Sequence, residues 1–480
     1  MFAKIQRIHF VGIGGIGMSG IAEVLLNLGY QISGSDLKNS AVTQRLAALG
    51  ATTYEGHAAA NIAGADVVVT SSAISVDNPE VAEARRLHVP VIQRAEMLAE
   101  LMRLKYGIAI AGMHGKTTTT SMVAAVLAAG GLDPTVVVGG RVDAMGSNAR
   151  LGKSHYLVAE ADESDRSFLK LSPILSVVTN IDREHMDCYR DMHDVRRTFL
   201  EFMERVPFYG MVVGCNDDVV LRRLLPRVHR RVATYGTSRG SDFLIRMGPL
   251  PVGSFEVGSV LAAGEHGPLI RFQVTYKEKD LGEFTLHVPG THNVLNATAA
   301  IAVGTALDIP AEQIRSALDG FRGVDRRFQL KGAAAGVSVI DDYGHHPTEI
   351  RATLAAARQC GFRRVHVIFQ PHRFSRTRDL MDEFTTAFAD ADTLCLLDIY
   401  PASEKPIEGI TAEVLVRRIA GAGKLGVAYA LSFSDAVATV AALAQPGDMV
   451  LTLGAGSISQ LGPMILEKLE TKSYEPRATS

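Results

Sequence analysis

The chain has 480 residues, more than one hydrophobic core usually organises, and this length predicts about three domains. Its 49 lysines and arginines are balanced by 51 aspartates and glutamates, so the charge does not favour a nucleic-acid-binding protein. The four cysteines are scattered without a C-x-x-C pair, which argues against a zinc site and a disulfide framework. No leader peptide and no long uncharged apolar run is visible, so we expect a cytoplasmic protein without membrane insertion.

Apolar strand-like runs alternate with helical patterns almost throughout, which predicts an α/β fold with mainly parallel sheets. We place the domains at residues 1–105, 106–324 and 325–480. The first domain starts with a strand from Arg7 to Val11, a glycine turn, and a helix from Met18 to Leu28. Two further strands, Val67 to Thr70 and Pro90 to Ile92, precede a helix from Glu96 to Arg103.

The middle domain opens with the apolar strand Tyr106 to Ile110 and continues with similar strands, of which Tyr156 to Glu160 and Ile174 to Asn180 come next. A segment near residues 230–288 is rich in glycine and in alternating apolar residues, which predicts an antiparallel excursion. The last domain repeats the strand–helix alternation, with a strand from Val365 to Phe369 among others.

The first glycine turn, Gly12-Ile-Gly-Gly-Ile-Gly17, satisfies the G-x-G-x-x-G pattern directly after a strand, and Asp36 ends the second strand. Glycines let the backbone approach a pyrophosphate, and an acid at this spacing suits a ribose. A dinucleotide is the usual ligand and would indicate a dehydrogenase. A UDP-sugar also carries a pyrophosphate and a ribose, so both ligands fit the pattern.

Residues Gly112-Met-His-Gly-Lys-Thr117 form a second phosphate-binding pattern, between a strand and a helix. Backbone N–H groups at the helix start would face the phosphates of a nucleotide triphosphate, with Lys116 neutralising charge and the Thr117 hydroxyl reaching magnesium. The pattern is a short form, because a full P-loop has a glycine where this chain has Ile110. A helix start that merely carries Gly-Lys-Thr is the alternative interpretation.

Two acidic runs follow neighbouring strands, Glu160-Ala-Asp-Glu-Ser-Asp165 and Asn180-Ile-Asp-Arg-Glu-His-Met-Asp187. Because α/β sheets bind ligands at the carboxyl ends of parallel strands, both runs belong to the predicted nucleotide site. Thr117 and Glu160 would supply hard oxygen ligands for magnesium, together with the imidazole of His185.

Further along, His292-Asn293 and Asn296 open a helix, where they suit either recognition of a nucleotide base or helix capping. The last domain concentrates cations and imidazoles in the runs Arg326-Arg327, Asp341-Asp-Tyr-Gly-His-His-Pro347 and Gln370-Pro-His-Arg-Phe-Ser-Arg-Thr377. Such clusters at strand ends favour binding of carboxylates or of a phosphoryl group in transfer.

Taken in order, these motifs resemble those of the Mur ligases over nearly the whole chain. The resemblance implies a Rossmann-like UDP-sugar domain, a central P-loop-type ATPase domain and a C-terminal Rossmann-like domain that brings in the amino acid. It implies ATP-dependent ligation of L-alanine to the lactyl carboxylate of UDP-N-acetylmuramate through an acyl phosphate, with two magnesium ions. It also implies a cytoplasmic role in peptidoglycan synthesis, cell shape and cell division, with small-molecule substrates only and a monomeric or dimeric enzyme.

The family's functional residues carry over by position. The residues implied to bind the UDP-sugar are Gly14, Gly15, Met18, Ser19, Asp36, Ser71 and Ser72. Those implied to bind ATP are Gly112, Met113, His114, Gly115, Lys116, Thr117, Thr118, His292, Asn293, Asn296, Arg326 and Asp342. Glu160 and His185 would hold the second magnesium and Thr117 the first. The amino acid would be bound by Tyr343, His345, Arg373 and Arg376, and the catalytic residues would be Lys116, His345, His372, Arg373 and Arg376.

Two departures from the family pattern stand out. The usual threonine after the first glycine of the phosphate loop is Met113 here, a change that we expect to affect packing alone. The carbamylated lysine of many Mur ligases has no counterpart in Asp194 to Phe199, where Arg196 or Arg197 would have to supply the charge.

Three alternatives remain open from the sequence: a dehydrogenase, a ligase that attaches a preformed murein peptide to the same sugar, and a nucleotide-binding switch without ligase activity.

Overall fold

The computed structural model describes residues 5–71, 73–142, 147–248, 269–423 and 426–474. Within these residues, strands and helices alternate around three sheets, so the predicted α/β fold is confirmed. The chain divides into two compact units. One takes in Met1–Arg246, Val274–Gly282 and Leu295–Leu318, and the other takes in Met247–Gln273, Glu283–Val294 and Asp319–Ser480. The domain boundaries at residues 105 and 324 stay predictions.

The first sheet is parallel throughout and has the strand order β3-β2-β1-β4-β5. Its strands are β1 (Arg7–Val11), β2 (Gln31–Asp36), β3 (Thr52–Glu55), β4 (Val67–Thr70) and β5 (Val91–Gln93). Its helices are α1 (Ile16–Asn27), α2 (Ala41–Ala48), α3 (Pro79–Arg86) and α4 (Arg94–Arg103). The order reverses between β1 and β4, where open α/β sheets form a ligand crevice. The glycine turn that follows β1 therefore lies at this crevice.

The second sheet has the order β15-β14-β13-β12-β11-β10-β6-β9-β7-β8. Its strands are β6 (Tyr106–Ala111), β7 (Thr135–Val142), β8 (Ser147–Arg150), β9 (Tyr156–Glu160), β10 (Leu175–Val178), β11 (Met211–Cys215), β12 (Val232–Gly236), β13 (Phe243–Met247), β14 (Ile270–Tyr276) and β15 (Lys279–Leu286). Its helices are α5 (Lys116–Ala129), α6 (Met192–Glu204), α7 (Val219–Leu224), α8 (Thr291–Ala306) and α9 (Ala311–Asp319). Strand β6 lies between β10 and β9, so the loop after β6 has both acidic runs as neighbours.

The antiparallel excursion predicted near residues 230–288 is wrong for its first two strands and correct for its last two. Strand β12 pairs in parallel with β11, and β13 pairs in parallel with β12, so both extend the parallel sheet. Strands β14 and β15 are neighbours joined by two residues, Lys277 and Glu278, a link that only an antiparallel pair allows. The sequence pattern of such short strands does not distinguish parallel from antiparallel pairing, because side chains alternate with a period of two in both kinds of sheet.

The third sheet has the order β16-β17-β21-β18-β19-β20, and it is parallel except for the antiparallel pair of β16 and β17. Its strands are β16 (Gln329–Ala334), β17 (Val337–Asp342), β18 (Val365–Phe369), β19 (Thr393–Leu396), β20 (Gly426–Tyr429) and β21 (Met449–Leu453). Its helices are α10 (Pro347–Gln359), α11 (Phe374–Asp379), α12 (Met381–Ala387), α13 (Ala412–Ala422), α14 (Phe433–Leu443) and α15 (Leu461–Tyr474).

Strands β17, β18 and β21 are buried along their whole length, because helices cover both faces of the third sheet.

All four cysteines are free thiols, and burial raises the pKa of Cys215 and Cys395 to about 11 and that of Cys360 to about 12. None of the helices in the described part of the chain combines the length and the apolarity that crossing a membrane requires.

Candidate active site

The turn after β1 is held in shape by the end of β2. The backbone N–H groups of Gly12 and Ile13 donate to the carbonyl oxygen of Ser35 at 2.8 and 2.9 Å, and Gly12 has a φ of 79°. The N–H of Gly14 donates to Asp36 Oδ2 at 2.9 Å. The structure thus gives Asp36 a role that the ribose prediction did not include, because its carboxylate fixes the glycine turn.

The other predicted UDP-sugar residues are less uniform. Gly15 is the N-cap of α1, where N–H groups gather, whereas the side chains of Met18 and Ser19 are buried. Ser71 is half-buried directly after β4, and Ser72 lies outside the described residues. The assignment of these residues to the sugar stays a prediction.

The second phosphate-binding pattern forms a compact loop between β6 and α5. Gly115 is the N-cap of the helix, with a left-handed φ of 81°, so α5 begins at Lys116. Asn180 braces the loop from the end of β10, accepting from the N–H of His114 and donating to its carbonyl oxygen, both at 2.9 Å. The hydroxyl of Thr179 donates to the same carbonyl at 2.7 Å. Met113 is buried, in agreement with the expected packing role.

Lys116 lies among carboxylates that the loop brings together. Its Nζ donates to Glu163 Oε1 at 2.8 Å and to the carbonyl oxygens of Gly112 and Met113 at 2.7 and 3.1 Å. Burial alone would lower the pKa of Lys116, but the charges of Glu163, Glu184 and Glu160 outweigh it and raise the pKa above its ordinary value. The ammonium group is therefore held protonated and in place at the start of α5.

Two histidines complete this site. His185 has a left-handed φ of 57°, and its Nε2 lies 3.5 Å from Glu163 Oε1. His114 Nε2 lies 3.0 Å from Asp182 Oδ2. A non-glycine residue in the left-handed region is uncommon, and it marks a backbone that the surrounding structure constrains. Both acidic runs therefore converge on the phosphate loop, as their positions after neighbouring strands predicted.

The residues around Lys116 fit a magnesium ion bound together with nucleotide phosphates. Glu163 is buried, and its Oε2 has no hydrogen-bond partner in the described part of the chain. Glu160 at the end of β9 and the hydroxyl-bearing Thr117 at the start of α5 add two more hard oxygen donors. A buried carboxylate oxygen without a donor is unfavourable unless a cation meets it.

The predicted base-binding residues also make contacts within the protein, and their binding of a base stays a prediction. Asn293 is buried, and its Nδ2 donates to the carbonyl oxygen of Pro289 at 2.6 Å, which ties the first turn of α8 to the residues before it. Asn296 is buried as well and accepts from the Thr119 hydroxyl at 3.1 Å, so it braces α5. Burial lowers the pKa of His292 to about 4, with a contribution from Arg327, so its ring is neutral and apolar enough to stack on a base.

The third sheet gathers a separate group of cationic and aromatic side chains, here named the cation cluster: Arg326, Arg327, Tyr343, His345, His372, Arg373, Arg376 and Tyr400. The guanidinium carbons of Arg326 and Arg327 each lie 5.1 Å from the centre of the Tyr343 ring, as in cation–π pairs. The rings of His345 and His372 are 5.6 Å apart, and Arg376 Nη1 lies 3.2 Å from His372 Nδ1.

Electrostatics keep His372 neutral. Burial lowers its pKa to about 3, with further lowering by His345, Arg376, Arg373 and Arg326. Because the ring of His372 is neutral near neutral pH, its positive neighbours Arg326, Arg373 and Arg376 supply charge to the cluster without it. An anion such as a carboxylate would find bidentate donors here.

Asp342, predicted to bind ATP, makes several hydrogen bonds within the third sheet and its flanking segments. Its carboxylate accepts from the N–H groups of Phe328 and Gly344, both at 2.7 Å, and from the Thr353 hydroxyl at 3.2 Å. Burial raises its pKa above the ordinary value. The described contacts give it a structural role, and its contact with ATP stays a prediction.

Several residues of these sites were not predicted from the sequence. Glu163 and Asp182 lay within acidic runs, yet nothing in a run tells which carboxylate turns towards Lys116. Arg94 pairs with Asp162 at 2.8 Å, and a Cβ at Gly17 would lie 2.6 Å from its Nη1, so it contacts the first turn of α1. Tyr400 stacks on His372 with ring centres 5.5 Å apart, although 28 residues separate them (400 − 372).

Neither Arg196 nor Arg197 resembles a replacement for a buried carbamate. Both are exposed, and Arg197 pairs with Asp194, whose main cationic partner is Arg166.

A phosphate loop with a charged lysine, a glycine turn at the crevice of a parallel sheet and a cation cluster on a third sheet define a nucleotide-dependent α/β enzyme. Comparison with known families narrows this class. Residues 7–106 match the Mur ligase family, catalytic domain; residues 110–304 match the Mur ligase middle domain; residues 326–456 match the Mur ligase, glutamate ligase domain.

Curated relatives are similar over the whole length. UDP-N-acetylmuramate–L-alanine ligase of Koribacter versatilis is 72% identical over 98% of this chain and 99% of its own, and the protein of that name from Acidobacterium capsulatum is 65% identical over the same shares. The crystal structure of UDP-N-acetylmuramate–alanine ligase from Thermotoga maritima has a TM-score of 0.78 at 29% identity, covering 97% of this chain and 99% of its own. The chain belongs to the Mur ligase family, and it is an ATP-dependent ligase. This assignment rules out the dehydrogenase and the nucleotide-binding switch.

Proposed function

We propose that the protein joins L-alanine to the lactyl carboxylate of UDP-N-acetylmuramate, with ATP converted to ADP and phosphate. This is the first peptide-adding step of peptidoglycan precursor synthesis. The observation that carries the proposal is Lys116 at the start of α5, held protonated among Glu163, Glu184 and Glu160. The shared name of relatives at 72% and 65% identity supports the choice of substrates.

The carboxylate must be activated before the amine can attack it, because direct amide formation would require a carboxylate oxygen to leave as oxide, which is a very poor leaving group. A lactyl carboxylate oxygen attacks the γ-phosphorus of ATP, the bond to the bridging oxygen breaks, and ADP leaves with an acyl phosphate formed. The amine of L-alanine then attacks the acyl carbon, the amine loses a proton, and phosphate leaves with the former carboxylate oxygen. Lys116 would neutralise charge on the phosphoryl oxygens in the first step.

Magnesium belongs to this proposal as the metal cofactor. Thr117, Glu160, Glu163 and His185 are the residues that would hold it, since Glu163 Oε2 is buried without a partner among the described residues. When bound, the metal supplies positive charge for the phosphates and the acyl phosphate. We propose two ions, the first held by Thr117 and the second by Glu160 and His185.

The cation cluster would bind the amino acid. Arg373 and Arg376 offer donors for the α-carboxylate, and the neutral ring of His372 lies beside Arg376. Arg326 has less freedom, since its guanidinium donates to Asp341 Oδ2 at 3.1 Å and to the carbonyl oxygen of Gly454 at 2.7 Å.

A ligase for preformed murein peptides is the second candidate. The crystal structure of a murein peptide ligase from Psychrobacter arcticus is similar with a TM-score of 0.66, but at 23% identity it supports the fold alone. The curated relatives favour L-alanine. Since ATP and UDP-sugars are cytoplasmic metabolites, we place the reaction in the cytoplasm, with small molecules as partners.

Phosphate release from ATP and magnesium tests the proposal, with UDP-N-acetylmuramate and L-alanine added singly and together. We expect sustained release only with both, and a product whose mass equals the sum of the two substrates less one water. A murein tripeptide in place of L-alanine should give little release. Turnover with the tripeptide but not with L-alanine would establish the second candidate instead.

A further inference from the structure

Tyr189 is a buried side chain that ties the two acidic runs together, although it takes no part in the reaction proposed above. It follows the second run, and its hydroxyl donates to the carbonyl oxygen of Glu163, in the first run, at 2.6 Å. Its N–H donates to the carbonyl oxygen of His185 at 3.1 Å. Tyr189 therefore contacts the backbone of two residues that would hold magnesium.

The backbone of Glu163 is fixed from two sides. Its carbonyl oxygen accepts from the Tyr189 hydroxyl and also from the N–H of Arg166 at 3.1 Å. A carbonyl oxygen has two lone pairs, so both are used. The carboxylate of Glu163 meets Lys116 with Oε1, and its buried Oε2 has no hydrogen-bond partner among the described residues. Because the backbone is held, the direction in which this carboxylate points is held as well.

Arg166 in turn covers Tyr189 and anchors it. Its guanidinium carbon lies 4.7 Å from the centre of the Tyr189 ring, and its Nη2 donates to the carbonyl oxygen of Cys188 at 3.0 Å. The same nitrogen pairs with the buried carboxylate of Asp194 in the first turn of α6. Arg166 has a left-handed φ of 62°, a conformation that non-glycine residues keep where the surrounding contacts enforce it. One side chain thus links the first acidic run, the loop of the second run and α6.

Magnesium makes such positioning important. The ion demands near-octahedral geometry with short bonds, so a small displacement of a carboxylate ligand weakens its binding. Groups that orient the ligands without touching the metal therefore have measurable effects on metal affinity. A guanidinium has no acceptor atom and cannot be a ligand, and the Tyr189 hydroxyl gives its proton to Glu163. The geometry gives both side chains an indirect role at the metal.

We propose that Tyr189 and Arg166 position Glu163 and His185 for magnesium, with Asp194 as the fixed point that holds the guanidinium. Both are positioning residues, because they act through the backbone of the ligands. This role rests on the nucleotide site of the proposed function, and it adds to that site a support that extends to α6.

The test uses Tyr189→Phe, which removes the hydroxyl and keeps the ring, and Arg166→Gln, which removes the charge. Tyr429→Phe is the matched control, since it removes a tyrosine hydroxyl that donates to Asp398 Oδ1 at 2.5 Å, and Tyr429 belongs to β20 of the third sheet. The first readout is the affinity of the ADP-bound enzyme for Mn²⁺, followed by the electron paramagnetic resonance signal of free Mn²⁺. The second and third are the Mg²⁺ concentration for half-maximal phosphate release and the KM for UDP-N-acetylmuramate.

We expect Tyr189→Phe and Arg166→Gln each to weaken Mn²⁺ binding by about tenfold and to raise the Mg²⁺ requirement by a similar factor. Arg166→Lys keeps a charge for Asp194 and should lie between the wild type and Arg166→Gln. The KM for UDP-N-acetylmuramate should stay within about twofold of the wild type in every variant, and Tyr429→Phe should leave Mn²⁺ binding unchanged. Wild-type Mn²⁺ affinity in both Tyr189→Phe and Arg166→Gln would overturn the proposal. So would an equal rise in the KM for the sugar, since that marks a general disturbance of the fold.

These outcomes are separate from a failure of the proposed function. If the wild-type enzyme binds Mn²⁺ with ADP but does not turn over L-alanine, the function is wrong, and the Mn²⁺ affinities of the variants still decide the role of Tyr189 and Arg166. If the wild type holds Mn²⁺ no better than ADP alone does, the metal site is wrong and the positioning role is refuted with it. Should Tyr189→Phe fail to fold, Arg166→Gln gives the decisive affinity, because the Arg166 side chain is 30% exposed and tolerates replacement.

Discussion

Replacing Glu163 by glutamine would remove the charge that lies nearest to Lys116 while keeping the shape of the side chain. The carboxylate is 1% exposed and the lysine side chain 18% exposed, so solvent screens this pair weakly. Breaking a buried ion pair on one side costs about 3–5 kcal/mol. The amide oxygen would still accept from Nζ, a hydrogen bond worth about 1 kcal/mol, so we expect a loss of about 2–4 kcal/mol of folding stability.

The same substitution should change how ATP use depends on pH. In the wild-type enzyme carboxylates raise the pKa of Lys116 above 10.5, so the lysine stays charged at neutral pH and its stabilising effect is lost only as pH rises through that raised value. Without Glu163, the lowering effect of burial is less opposed. We therefore expect kcat/KM for ATP in Glu163→Gln to decline at a lower pH than in the wild type.

Urea unfolding at pH 7 measures the loss of stability. Measurement of kcat/KM for ATP from about pH 6 to about pH 10, a range that approaches the ordinary lysine pKa, measures the effect on ATP use. Glu96→Gln is the control, because Glu96 pairs with Lys170 at partly exposed positions, and such pairs contribute about 0–1 kcal/mol. Equal stabilities and identical pH profiles for Glu163→Gln and the wild type would refute the role given to this pair.

Two further predictions concern residues that hold the two phosphate-binding turns. Glu80 is buried and accepts from the Ser35 hydroxyl and from Asn61 Nδ2, both at 2.6 Å. Glu80→Ala should therefore lower the free energy of unfolding in urea by about 3–5 kcal/mol. Glu201→Ala is the control at an exposed position and should lower it by less than about 0.5 kcal/mol. Burial would raise the pKa of Glu80, but hydrogen bonds from His9, Ser35 and Asn61 outweigh it and lower the pKa from 4.5 to about 2. The contribution of Glu80 to folding stability is therefore fully present above pH 4.5 and is lost as pH falls towards 2. A stability that does not change over that pH window would contradict this. Gly115→Ala should raise the KM for ATP by about tenfold or more, because a Cβ there would lie 2.7 Å from Asn296 Oδ1. Gly131→Ala has a similar φ of 76° with open space around it, so it should lose stability without a change in KM, and equal KM values in both variants would show that the contact with Asn296 is unimportant.

The sequence predicted the elements that depend on local pattern. Strands such as Val67–Thr70 and Val365–Phe369 have the predicted bounds, because buried parallel strands appear as short continuous apolar runs. The four threonines in succession that begin α5 have low intrinsic helix propensity. Packing of α5 against the second sheet overrides that propensity, since Thr119 and Thr120 are fully buried.

The parts that were missed depend on contacts between distant segments. No local pattern could tell that Asn180 braces the phosphate loop, that Tyr400 stacks on His372, or that Glu80 accepts from Ser35 beneath the glycine turn. Such contacts arise only when the strand order of each sheet is fixed. The sequence motifs indicated the chemistry of the sites. Which side chain of each motif faces a site depends on the arrangement of the strands in the sheets, which the motifs do not contain.

Transfer of oxygen from the sugar carboxylate to phosphate tests the central claim most directly. UDP-N-acetylmuramate labelled with ¹⁸O in its lactyl carboxylate would be turned over with ATP, magnesium and L-alanine, and the released phosphate analysed by mass. Because the carboxylate oxygen that attacks ATP leaves with phosphorus, the account predicts one labelled oxygen in each phosphate. Phosphate without label would contradict an acyl phosphate, and with it the role given to Lys116 and its carboxylates.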